Sequence, residues 1–79
     1  MYVIYRSTFR GAKEFFSGKT HIVNGKRMAI MTLQGHVKIF KSIKGVSNAT
    51  LKLQKRCPDQ VPFYATTVEE YINEKWGLN

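Results

Sequence analysis

The sequence predicts a small α+β protein: an antiparallel sheet of about four strands, one helix packed on it, and a C-terminal helix. Three observations carry this. Asn24-Gly25 sits between two β-prone runs, "THIV" and "KRMAIMTL". An apolar stripe at helical spacing runs from Ile43 to Cys57. Thr67-x-x-Glu70, or Thr66 with Glu69 in an alternative register, is a helix-opening signal at the start of the apolar stripe Val68, Tyr71, Ile72 and Trp76.

The elements follow in order. "YVIYR", Tyr2–Arg6, is β-branched and aromatic and reads as a strand partly buried on both faces. "STFRGAK" is a polar loop. "EFF", Glu14–Phe16, reads as a short strand ended by Ser17-Gly18. Asn-Gly then places a hairpin tip, because a type I′ turn needs positive φ at both central residues. "HVKIF", His36–Phe40, reads as a further strand with Val37 and Ile39 on one face.

Ser42 is a suitable N-cap, its side-chain oxygen meeting a free helix N–H. Ile43, Val46, Thr50, Leu53 and Cys57 recur at intervals that build one helix face. Gly45, Ser47, Asn48 and Thr50 are weak helix formers, so this helix depends on docking against the sheet. Pro58 stops it. "VPFYA", Val61–Ala65, suits an edge strand, since Pro62 has no N–H for a central ladder. The final helix has Glu69 and Glu70 near its start, where the dipole favours acids, and Gly77 for its C-terminal cap.

Size and charge bound the function. With 79 residues, one domain over 1–79 is expected. A chain of this length buries roughly 60% of its unfolded surface, so a large internal cavity would weaken its core. Thirteen Lys and Arg stand against five Asp and Glu. Twelve of those cations lie in residues 1–58, with Glu14 as the one acid there. A basic body with an acidic end suits a polyanion partner. Cys57 is the single cysteine, so no internal disulfide forms. That fits a reducing compartment, and a cytoplasmic protein is expected. The start does not read as a signal peptide, and no apolar run in the sequence reaches the length expected of a membrane span.

Reactive chemistry finds little support. His21, His36 and Cys57 are scattered and lack metal-ligand spacing. No carboxylate lies beside them to orient a nucleophile and base. No phosphate-loop or dinucleotide glycine motif is present. An enzyme is not expected, nor a cofactor or a metal.

The cations form two groups. The first is Lys38, Lys41, Lys44, Lys52, Lys55 and Arg56, around Ser42. A helix dipole accounts for cations at a C-terminus, the place expected for Lys52, Lys55 and Arg56. It does not account for Lys41 and Lys44 at the start, where free N–H groups and Gly45 would admit a phosphate. The second group is Arg6, Arg10, Lys13 and Lys19, interleaved with Tyr5, Phe9, Phe15 and Phe16. Such interleaving suits single-stranded nucleic acid, where rings stack on bases. Core filling is the competing account for Tyr5, Phe15 and Phe16. Phe9, in a polar loop, is the best stacking or partner-contact candidate. Arg10 and Lys13, with Lys26 and Arg27 at the hairpin, extend the nucleic-acid surface.

"MYVIYR", "FFSGK", the Asn-Gly hairpin, "VKIFKSIKGV" and "EEYINEKWGLN" together make a layout that resembles small accessory proteins of bacteriophages. The resemblance covers the whole chain in style and assigns no residue a role. It implies a protein that blocks a host defence factor. With the basic charge, one concrete version resembles the TifA-type inhibitors of the ToxN endoribonuclease toxin, which act in a complex containing RNA. The expected function is therefore binding of RNA or an RNA–protein complex, with a host nuclease or toxin as protein partner, in the host cytoplasm. Two alternatives stay open: direct binding of a protein, as in anti-CRISPR inhibitors, and binding of double-stranded DNA.

Overall fold

A computed structural model of the chain describes residues 1–8, 11–33, 35–60 and 62–76, with side chains as far as Asn73. Its strands are β1 (Tyr2–Ser7), β2 (Lys13–Val23), β3 (Lys26–Thr32) and β4 (Tyr64–Thr67). They form one antiparallel sheet in the order β3-β2-β1-β4. Helix α1 (Ile43–Arg56) and a 3-10 turn (Pro58–Gln60) lie between β3 and β4, and α2 (Val68–Trp76) closes the chain. The α+β class read from the sequence is the observed one.

β1 is central because its apolar run serves both faces. Val3 and Ile4 are both 0% exposed. Ile4 joins Phe16, Ala29, Val46, Leu53, Cys57 and Phe63 on the side covered by α1. Val3 joins Phe15, Val37 and Tyr71 on the opposite side, where α2 sits. Period-two alternation sends neighbouring β1 residues to different clusters, so two small cores share one sheet.

The hairpin tip is where the sequence puts it. Asn24 and Gly25 have φ of 52° and 79°, as a type I′ turn requires. The strand leading to it is longer than expected. The expected break after Glu14–Phe16 does not occur: β2 continues to Val23, with a register shift between Phe16 and Thr20. Gly18 makes this possible. At φ +96° it absorbs the extra residues as a bulge while the strand goes on.

His36–Phe40, expected as a strand, is not one. Lys38 N–H donates to the Phe16 carbonyl at 2.9 Å, and Tyr2 and Phe40 exchange two backbone bonds of 2.8 Å. The segment bridges β2 and β1 beyond the last β1–β2 pairing at Tyr5–Phe15. Nor do Val37 and Ile39 share a buried face. Val37 is buried against Val3, while Ile39 is 45% exposed and Phe40 packs near the other core. A single bridge imposes no strand alternation on the residues around it.

Ser42 caps α1 as expected, its Oγ accepting the Gly45 N–H at 3.0 Å. Val46, Thr50, Leu53 and Cys57 are buried. The buried Thr50 hydroxyl is satisfied by donating to the Val46 carbonyl at 2.7 Å. Ile43 departs from the expected stripe and is 64% exposed. It lies at the first residue of the helix, beside the edge strand β4, where no further strand among the described residues covers it. Thr67 caps α2, accepting the Glu70 N–H at 3.2 Å. The stripe on α2 is narrower than expected: Tyr71 is buried but Ile72 is exposed. The Trp76 side chain and the Gly77 cap lie outside the described residues.

Gln60 has a structural role that no spacing announces. It is buried, and its side-chain amide faces Ala29 on β3. The Ala29 N–H donates to Gln60 Oε1 at 2.6 Å, and Gln60 Nε2 donates to the Ala29 carbonyl at 3.1 Å. The amide thus completes the β3 edge as a neighbouring strand's peptide would. Replacement by Leu keeps the volume but orphans both buried backbone groups. Gln60→Leu is expected to cost about 2–4 kcal/mol, at ~1–3 kcal/mol per unsatisfied group less partial rehydration, read as a lower denaturant midpoint.

Candidate nucleic-acid interface

The outward face of α1 is the mirror of its buried one. Lys44, Asn48, Leu51, Lys52 and Lys55 are exposed and recur at three- and four-residue spacing. At 1.5 Å rise per residue, Lys44 to Lys55 spans roughly 16 Å. Lys41 precedes the cap, Arg56 ends the helix, and Lys38 lies on the bridging segment, all exposed. The Lys38 ammonium sits 5.9 Å from the Phe40 ring centre, within cation–π range. Lys38, Lys41, Lys44, Lys52, Lys55 and Arg56 have no ion-pair partner among the described residues.

The helix dipole explains less of this than the sequence suggests. The last turn holds Lys55 and Arg56. Lys52 lies before it, because the helix ends at Arg56 with Cys57 as its C-cap. The first turn has no acid, and Lys44 stands in it. Ser42 Oγ is already occupied as an acceptor from Gly45, but its hydroxyl proton is free to donate.

The other candidates are elsewhere. Lys13 sits with Phe15 on the α2 side of the sheet, its ammonium 5.1 Å from the Tyr5 ring. Lys26 pairs with Asp59 at 2.9 Å. Arg27 Nη1 donates to Thr20 Oγ1 at 2.8 Å. Arg6 bonds Glu14 at 3.2 Å and the Gln60 carbonyl at 3.0 Å. Phe9 and Arg10 lie outside the described residues. Phe15 and Phe16 are both buried core residues, and Tyr5 is half-buried against the Val3 cluster.

The Asp59 carboxylate, by its hydrogen bond and then its charge, holds the Lys26 ammonium above its ordinary pKa. A raised folded pKa means this pair's contribution is present at neutral pH and lost as pH rises through the Lys26 value. A cleft of about 510 Å³ beside β3 is lined by both pairs, Arg6–Glu14 and Lys26–Asp59, together with Met28 and Gln60. Its charges are internally matched.

Cys57 is fully buried as the C-cap of α1, its N–H donating to the Leu53 carbonyl at 2.8 Å. His21 and His36 are exposed. Among the described residues no three His, Cys, Asp or Glu side chains converge on a metal-sized site. Nor is any helix among them long and apolar enough to cross a membrane. No family model, curated protein or solved structure matches this chain.

Proposed function

We propose that this chain is a non-enzymatic binding protein that holds RNA, or an RNA–protein complex, on the cationic face of α1. One observation carries the reading: six cations on and around α1 have no acidic partner among the described residues, while Arg6 and Lys26 each have one. Lysines along one helix face meet phosphates of a nucleic-acid backbone, and counterion release supplies the affinity. The layout's resemblance to phage anti-defence proteins extends the proposal to an inhibitor of a host nuclease or toxin that works with RNA.

Salt titration tests it. Contact with four to seven single-strand phosphates gives a log–log slope of roughly −3 to −5. An affinity for single-stranded RNA that is indifferent to salt between low and physiological strength would defeat the proposal. Tighter binding of duplex DNA than of RNA would replace RNA with DNA as the ligand. Retention of a host protein after nuclease treatment and high salt would favour direct protein binding.

A further inference from the structure

The two edges of the sheet are treated differently. At β3 the Gln60 amide occupies the outward N–H and C=O of Ala29. At β4 no described residue does the same. The Val68 N–H donates to the Met1 carbonyl at 2.9 Å, continuing the β1–β4 ladder. Antiparallel alternation then turns the N–H groups of Tyr64 and Thr66 toward β1 and those of Ala65 and Thr67 outward. Ala65 and Thr67 are exposed. Beside them runs a groove of about 320 Å³ lined by Tyr2, Ile43, Val46, Ser47, Ala65 and Thr67.

We infer that the β4 edge and this groove accept an extended, acidic segment of a partner protein as a fifth strand. The outward Ala65 groups supply the main-chain bonds of strand addition. Every second side chain of the incoming strand would lie over the groove. There the Ala65 methyl leaves space beside Ile43, an isoleucine that is 64% exposed. Charge selects the occupant. Exposed Lys41 and Lys44 flank Ile43 in sequence, and Lys52 and Lys55 continue along the helix. The nearby acids are Glu69 and Glu70 in the first turn of α2. A second copy is a poorer occupant: it brings the same formal charge of +8, and its own β4 offers four residues. This surface shares its lysines with the proposed RNA face, but the Ala65 edge and Ile43 belong to it alone, so Ala65→Pro tests it without touching the RNA reading.

The probe is a synthetic eight-residue peptide of alternating Val and Asp, followed by amide NMR on the intact chain. Shifts at Ala65, Thr67, Ile43 and Ser47, with slowed exchange of the Ala65 N–H, are expected. The Val/Lys counterpart should bind at least about tenfold more weakly, since like charges oppose it. Ala65→Pro removes the outward N–H on an edge strand, where proline is tolerated, and should abolish binding while circular dichroism shows the fold kept. Ile43→Glu, at an exposed site that folding tolerates, should weaken it about tenfold or more. Shifts confined to the outer face of α1, unaffected by Ala65→Pro, would overturn the inference. So would the absence of any shift at millimolar peptide. So would a dimer of the free chain that Ala65→Pro dissolves, because the edge would then belong to a second copy.

Discussion

The triple variant Lys44→Glu, Lys52→Glu, Lys55→Glu is expected to lose at least about a hundredfold in RNA affinity at low salt and to remain folded. The three residues occupy one exposed helix face and have no ion-pair partner among the described residues. Reversing them removes about three phosphate contacts and adds three repulsions. The salt dependence should become shallower by about 2, at roughly 0.7 per lost single-strand phosphate. Folding should change little, because solvated positions away from the core usually shift stability by under ~0.5 kcal/mol each. A glutamate at Lys55 opposes the helix dipole, and circular dichroism will report any fraying. The decisive control has the same charge change on the hairpin: Lys19→Glu, Lys26→Glu, Arg27→Glu. If only net charge mattered, the two variants would weaken binding equally. If α1 is the site, the hairpin variant loses a few-fold and keeps most of its salt slope.

Ile4→Ala is expected to cost about 3–4 kcal/mol, within the range for emptying a closed apolar site. Ile4 is 0% exposed in the central strand, and it packs in one cluster with Phe16, Val46 and Leu53. No neighbour can collapse far into the space, because β1 is held on one side by β2 and on the other by β4. Per-residue stability of about 0.05–0.15 kcal/mol implies roughly 4–12 kcal/mol for a chain of this size. The variant should therefore approach the unfolding threshold. Urea denaturation at constant m-value measures it. Ile43→Ala is the natural comparison: the same residue type, exposed at the start of α1, should shift the midpoint hardly at all. A similar loss for both would mean that α1 does not sit on β1 as described.

The sequence by itself determined the α+β class, the hairpin tip, the α1 N-cap, the α2 N-cap to within one residue, and most of the α1 stripe. Each is a local matter. Asn24-Gly25 is fixed by backbone sterics, Ser42 and Thr67 by unsatisfied N–H groups within one turn, and Val46, Thr50 and Leu53 by helical period. The basic character was equally legible, because charge is a sum over residues. Only tertiary structure decided how that charge is distributed. Lys26 and Arg27 look as free as Lys44 along the chain, yet Asp59 and Thr20 hold them. Tertiary structure also turned His36–Phe40 into a bridge between two strands, left Ile43 bare beside a sheet edge, and brought the Gln60 amide to Ala29 across 31 positions. Pairings of that separation depend on where the chain returns, and no local pattern encodes it.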